Sequence, residues 1–178
     1  MQYKGCFYEA LTRHMYVHWA FIVNNSFSED EVRIAIQHVH SKHPYLRSII
    51  SEGPSFSEIS FIDNGKINSV MEYSEEYLDE SVLKSKLEEA SDVFDNDSSI
   101  VDTVRYKVIC CQEKSITGII ACFCHSCVDA LSSLRVASDI LYYLDNPNAS
   151  MPLSREYVSV QTELIVKEES EGHIRFAN

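Results

Sequence analysis

Three cysteines, a histidine and an aspartate lie close together in the sequence ACFCHSCVDA, residues 121–130. Cys124 and Cys127 have the CxxC spacing that occurs in zinc knuckles and in thiol redox pairs. His125 and Asp129 have the spacing HxxxD. An imidazole with an ordinary pKa near ~6.5 suits a general base at neutral pH. These few residues therefore allow three chemistries: a metal site, a redox pair, or a base with its supporting carboxylate.

The metal and redox alternatives each lack a feature that such sites normally have. A structural zinc ion needs four ligands, usually from two such pairs, and the sequence contains no second pair. A strand, then CHSC, then a helix is the order in which a helix amino end lowers a thiol pKa. A thioredoxin-like fold, however, also needs a long continuation with a proline facing the pair, and neither Pro147 nor Pro152 heads a suitable strand. HxxxD alone is a weak pattern, so the residues by themselves favour a satisfied core histidine beside a helix-capping aspartate over a base, and a redox pair also stays open.

Two elements must position His125 and Asp129. The nearly continuous apolar run 116–124 predicts a strand buried on both faces, with His125 at its exit. A helix from about Asp129 to Leu144 follows, and Asp129 at its amino end would be held by the helix dipole and by an arginine. The residues predicted to face inward on this helix are Leu131, Leu134, Ala137, Leu141 and Leu144.

The remaining elements predict an α/β protein. A helix begins at the capping box of Ser28 and Glu31 and ends at Pro44. A second helix covers 78–90, and 91–102 is expected to be a loop. Strands are predicted at 15–23, 45–51 and 104–111, a hairpin turn at Asn64 and Gly65, and a half-buried or extended strand at 157–166.

Composition limits the classes of function. The 178 residues suffice for one domain, and 45% hydrophobic and 24% charged residues are ordinary for a globular protein. The formal charge of -12, without a basic patch, argues against nucleic acid and anionic membranes as partners. No membrane span or signal peptide is apparent, so we expect a cytoplasmic protein. Five of the six cysteines lie within 110–127 and are expected to be buried, reduced thiols.

Three segments resemble one family. TGIIACFCHSCVDALSSLRVASDIL resembles the HHxxxDG segment of the chloramphenicol acetyltransferase-like superfamily, which includes nonribosomal peptide condensation domains, BAHD acyltransferases and alcohol acetyltransferases. FSEDEVRIAIQHVHSKHPYLRSII resembles its first helix with a closing His-Pro-x-Leu-Arg turn. FDNDSSIVDTVRYKVI resembles the segment leading into an arginine-bearing strand, with Arg105 in place. The resemblance implies a two-layer α/β sandwich with a mixed sheet, corresponding to the amino-terminal half-domain.

The resemblance also implies roles for individual residues. His125 would be the general base that removes a proton from a hydroxyl or amine. That nucleophile would attack an acyl thioester carried by coenzyme A or by the phosphopantetheine of a carrier protein, with no permanently bound cofactor and no metal. Asp129 would make a structural ion pair with Arg47 as first choice or Arg105 as second. Cys124 and Ala130 depart from the motif, where relatives have histidine and glycine.

The second half of the family's fold has no counterpart in this sequence. We therefore expect residues 1–178 to form one half-domain, with 167–178 a frayed tail or a linker to a missing second half. A complete site would need another protein chain, either a second half-domain or a second copy in an oligomer, unless the 178 residues were cut from a longer protein. The alternative is a non-catalytic interaction module that keeps the half-fold.

Overall fold

A computed structural model describes residues 2–4, 15–53, 59–63, 70–91 and 100–150 of the chain. The strands are β1 (Gln2–Lys4), β2 (Tyr16–Val23), β3 (Ser48–Glu52), β4 (Ile59–Asp63), β5 (Val70–Glu75), β6 (Ile100–Asp102), β7 (Val104–Cys111) and β8 (Ile116–Cys124). The helices are α1 (Glu29–Lys42), α2 (Glu80–Ser91) and α3 (Ala130–Asp145). The predicted hairpin turn at 64–65, the strand at 157–166 and the tail 167–178 lie outside the described residues.

The strands form two four-stranded sheets. Sheet I has the order β1-β4-β3-β6 and is antiparallel, whereas sheet II has the order β2-β8-β7-β5. In sheet II, β8 is antiparallel to both neighbours and β5 is parallel to β7, so this sheet is mixed. The predicted α/β class with a mixed sheet is thus confirmed.

Helices cover both faces of sheet II. α1 and α3 bury Val32, Ile36, Val136 and Ile140 in the main core, together with Phe123 and its neighbours on one face of the sheet. On the opposite face, a second apolar cluster joins α2 to β7 and β8 through Leu78, Val82, Leu83, Ile109 and Ile120. This burial explains why β8 reads as a continuous apolar run: of its nine residues, all but Ile116 are buried.

The start of α1 agrees with its sequence signature. The Ser28 side chain accepts a hydrogen bond from the Glu31 backbone N–H, and the Glu31 carboxylate accepts one from the Ser28 backbone N–H at 2.8 Å. Pro44 then begins a short 3-10 turn, Pro44–Arg47, so the following strand starts at Ser48 and not at residue 45. The end of the predicted loop at 91–102 is also ordered, as β6.

The predicted inward face of α3 is wrong at three leucines. Leu131 is 71% exposed, Leu134 60% and Leu141 37%. The buried side of the helix instead carries Ser133, Val136, Ile140, Tyr143 and Leu144. Because the helix has apolar residues on both sides, periodicity alone fixes the existence of the helix and leaves its rotation open.

A buried histidine lies between α1 and sheet II. His40 is fully buried, and its Nε2 lies 3.1 Å from the Tyr106 hydroxyl. Burial, with a smaller contribution from the positive charges of His43 and Arg47, lowers the pKa of His40 to about 3. The folded protein therefore keeps this imidazole neutral.

The buried His40 should make the fold acid-sensitive. Its pKa is lower in the folded state than the ordinary 6.5, so its contribution to stability is complete above about pH 6.5 and is lost as pH falls toward 3. Between pH 6.5 and about pH 5, we expect the free energy of unfolding of the wild-type protein to fall by about 2 kcal/mol more than that of His40→Gln. The glutamine keeps a hydrogen-bonding side chain but does not titrate. Urea titrations across this range test it, and parallel curves for the two proteins would contradict it.

None of the helices in the described part of the chain is long and apolar enough to cross a membrane.

Candidate functional site

His125 lies where β8 leaves sheet II. The backbone N–H of His125 donates to the Met15 carbonyl oxygen at 2.7 Å, just ahead of β2, and the Cys127 N–H donates to the Cys124 carbonyl at 2.9 Å across a tight turn. The imidazole is half-buried. Its Nδ1 is buried and has no hydrogen-bond partner among the described residues, and Nε2 is not buried in this way. One ring nitrogen therefore faces the interior.

Thr103 joins the two sheets beside this turn. Its carbonyl oxygen accepts a hydrogen bond from the Cys124 N–H at 3.0 Å, and its hydroxyl donates to the Ser48 carbonyl at 3.1 Å. Thr103 is 1% exposed and lies between β6 of sheet I and β7 of sheet II. Thr103 carries no signal in the sequence, since one threonine between two short apolar runs has no distinctive pattern.

Asp129 caps α3. Its Oδ1 accepts a hydrogen bond from the Ser132 backbone N–H at 2.7 Å, and its carbonyl accepts from the Ser133 N–H at 2.9 Å. The hydrogen bonds from Ser132 hold the pKa of the Asp129 carboxyl below its usual range, and the positive charge of a protonated His125 adds to this effect. Asp129 therefore fixes the helix start that follows the His125 turn.

The predicted ion pair between Asp129 and an arginine does not form within the described part of the chain. Arg47 Nη2 lies 2.9 Å from Asp63 Oδ2, and its Nε donates to both Asp63 oxygens. Arg105 Nη2 lies 3.6 Å from Asp102 Oδ2. Strand register explains the first pair, because Ser48, next to Arg47, is the cross-strand partner of Asp63. Closeness in sequence explains the second, because Asp102 is only three residues before Arg105. Arg47 and Arg105 thus support the sheets and not the aspartate.

Replacing the Asp129 cap should cost stability through the helix. We expect Asp129→Ala to lower the free energy of unfolding by about 1 kcal/mol, because the Ser132 N–H loses its acceptor. Asp129→Asn should lose much less, since asparagine is an equally good cap. Urea denaturation at pH 7 measures both. A loss as large for Asn as for Ala would show that the charge, rather than the cap, is what matters.

The two residues that depart from the motif take different places. Cys124 is fully buried at the end of β8, with its thiol within hydrogen-bonding reach of Cys127 and Ser126. Ala130 is exposed at the first position of α3. The described cysteines, Cys110, Cys111, Cys122, Cys124 and Cys127, are all buried thiols. Within the described ranges, no group of three or more His, Cys, Asp or Glu side chains could hold a metal ion.

Solved structures of other proteins share this fold. No protein-family model matches the sequence, and no curated protein matches it. The condensation domain from Monacolin K polyketide synthase MokA superimposes with a TM-score of 0.74 at 10% identity, covering 97% of this chain and 40% of that one.

Two further solved structures give similar values. The starter condensation domain of a mutant rhizomide synthetase RzmA has a TM-score of 0.71 at 9% identity, covering 96% of this chain and 44% of that one. The epimerization domain from the third module of tyrocidine synthetase B has a TM-score of 0.67 at 13% identity, covering 97% and 43%. This chain spans about two fifths of the length of these structures. It has the fold of about two fifths of these condensation and epimerization domains.

Proposed function

We propose that this chain is half of an acyl-transfer domain with His125 as general base. The imidazole would remove the proton of a hydroxyl or amine as that nucleophile attacks an acyl thioester. The new C–O or C–N bond forms, the C–S bond breaks, and the leaving thiolate takes the proton from the imidazolium. The donor would be an acyl group on coenzyme A or on the phosphopantetheine of a carrier protein.

The observation that carries this proposal is the position of the His125 ring. It emerges from a strand buried on both faces, in a turn held by the Met15, Cys124 and Thr103 backbones, next to a helix whose start is capped by Asp129. A base must be held within hydrogen-bond reach of the proton it removes, and here both flanking elements are anchored. Nε2 would offer the lone pair at the strand end, since Nδ1 faces the interior.

We further propose that a second half completes the site. A half-domain alone cannot enclose a pantetheine arm or exclude water from the thioester. The fold match covers only about two fifths of each similar structure. The missing wall would come from a second half-domain, in the same polypeptide or in another protein chain, or from a second copy of this chain, and a carrier protein would bring the donor if coenzyme A does not.

The alternative is an interaction module without catalysis. The exposed apolar residues on α3, Leu131, Leu134 and Tyr142, favour it, because such a surface suits contact with a partner. The replacement of the motif's first histidine by Cys124 and of its glycine by Ala130 points the same way.

A transfer assay separates the two functions. Acetyl- and longer acyl-coenzyme A are incubated with a mixture of amine and alcohol acceptors, and both thioester loss and acylated product are followed by chromatography. The chain is assayed alone, at concentrations that favour self-association, and with any co-purifying chain. Product formation that depends on His125 supports the acyltransferase. Binding to a co-purifying chain without product, under all conditions, supports the interaction module.

A further inference from the structure

We propose that Cys124 and Cys127 form a reversible disulfide that brackets His125 and controls the site. The disulfide itself rests on the geometry of the turn. Its control of acyl transfer rests in addition on the function proposed above. The turn would then be a modification site as well as the segment that holds the general base, His125.

The turn already holds the two cysteines at disulfide range. The hydrogen bond from the Cys127 N–H to the Cys124 carbonyl, 2.9 Å long, closes a four-residue turn. In such a turn the outer Cα atoms lie less than about 7 Å apart, and disulfides join Cα atoms about 4.4 to 6.8 Å apart. The thiols of Cys124 and Cys127 are within hydrogen-bonding reach of each other. Bond formation therefore needs only a small local movement.

The other described cysteines are not placed in this way. Cys110 and Cys111 are consecutive on β7, so their side chains lie on opposite faces of sheet II. Cys122 lies within β8, where the extended backbone separates it from Cys124, and its Sγ is 3.9 Å from His18 Nε2. Among the described cysteines, one pair thus combines a tight turn with contact between thiols.

Hydrogen bonding also favours a reactive thiolate at Cys124. Hydrogen bonds from the Cys127 thiol and from Ser126 hold the pKa of Cys124 below its usual range despite burial. Cys122, two residues earlier on the same strand, has its pKa raised to about 12 by burial. The thiolate is the nucleophile in thiol oxidation. Both cysteines are buried, Cys124 fully and Cys127 at 6% exposure, so the oxidant must be small.

A peroxide supplies the oxidising equivalents. The Cys124 thiolate attacks one oxygen of hydrogen peroxide, so an S–O bond forms, the O–O bond breaks and hydroxide leaves. The Cys127 sulfur then attacks the sulfenic sulfur; the S–S bond forms and the second oxygen leaves as water, carrying the Cys127 proton. Two thiols and one peroxide give one disulfide and two waters, and a small dithiol reverses the change.

The disulfide would displace the base. Forming an S–S bond brings the sulfur atoms of Cys124 and Cys127 from hydrogen-bonding distance to about 2.05 Å from each other. His125 lies between them, so its backbone and ring must rotate with the turn. A displacement of about 1 Å at a catalytic group can cost about 100-fold. We therefore expect oxidation to lower the rate of acyl transfer about 10- to 100-fold.

Mass spectrometry of the full chain tests the disulfide. Trypsin cleaves after Lys114 and Arg135, so all three cysteines of this region fall on one peptide. In Cys122→Ser only Cys124 and Cys127 remain on it. After brief treatment with equimolar peroxide and then iodoacetamide, we expect this peptide unalkylated and two hydrogens lighter, and fully alkylated after reduction with dithiothreitol. Two alkylated cysteines, or a sulfinic acid at either, would overturn the proposal.

A matched variant tests specificity and control. Cys127→Ser in the same background should give no intrapeptide loss of two hydrogens, and its transfer rate should not respond to brief oxidation. If that variant does not fold, the Cys122→Ser result alone decides the disulfide. If the chain transfers acyl groups equally well before and after complete disulfide formation, the disulfide does not regulate the site and that part of the proposal is overturned. A chain that forms the disulfide but never transfers contradicts the acyltransferase proposal, and the regulatory role with it, while the disulfide itself stands.

Discussion

His125→Ala should lower the rate of thioester-dependent acyl transfer by about 10²- to 10⁴-fold, the range that a positioned general base contributes. The reason is local: the Met15 hydrogen bond and the tight turn at the end of β8 hold the backbone that carries the imidazole. The assay compares initial rates at saturating and at low thioester. Because the base acts in the transition state, the loss should appear in kcat and not mainly in KM.

A second histidine serves as the matched control. His38 on α1 is also half-buried, and its Nδ1 is also buried without a hydrogen-bond partner among the described residues. It packs against Tyr143 with ring centroids 4.8 Å apart, on a different element from the His125 turn. His38→Gln should keep the rate within about twofold. Equal losses for both variants would indicate a general effect on folding, and an unchanged rate for His125→Ala would rule out the base.

Phe123→Ala should lower the free energy of unfolding by about 3 to 5 kcal/mol, the usual cost of removing a large buried aromatic side chain. Phe123 is fully buried and packs on Trp19 and Tyr106, with ring centroids 5.7 and 6.2 Å apart. The cavity would lie in β8, two residues before His125. Equilibrium urea denaturation gives the loss, and a domain of ordinary stability would then be only marginally folded.

An exposed leucine provides the comparison for this core residue. Leu131→Ala also removes a large apolar side chain, but Leu131 is 71% exposed on α3, so its loss should stay within about 0.5 kcal/mol. The pair of variants also tests the rotation of α3 directly. A loss of several kcal/mol at Leu131 would restore the inward face that the sequence pattern predicted and contradict the observed one.

Local signals in the sequence predicted the elements where one face or one cap dominates. The capping box at Ser28 fixed the start of α1, and uninterrupted apolar residues identified β8 as a strand buried on both faces. The rotation of α3 could not be predicted, because leucines lie on both sides and only packing against α1 and sheet II decides between them. The short β6 was missed because its pairing with β3 is a long-range contact that leaves little trace in an acidic segment.

At the candidate site, too, local sequence patterns predicted some features, and long-range contacts decided the others. Asp129 as the cap of the helix after His125 follows from its position before an apolar helical segment. The ion-pair partner of Arg47 cannot be predicted from the sequence, because it depends on the register that places Asp63 opposite Ser48. Thr103 likewise becomes visible only when both sheets are present, since its two hydrogen bonds reach residues 55 positions before it and, in β8, well after it.

The double attachment of Thr103 has a consequence for motion. One buried residue is bonded to β3 on one side and to the last residue of β8 on the other. Any sliding of sheet I against sheet II therefore also moves the backbone at the end of β8, which carries the His125 imidazole. A ligand or a neighbouring chain that stiffens sheet I would narrow the range of positions sampled by the base, without touching it.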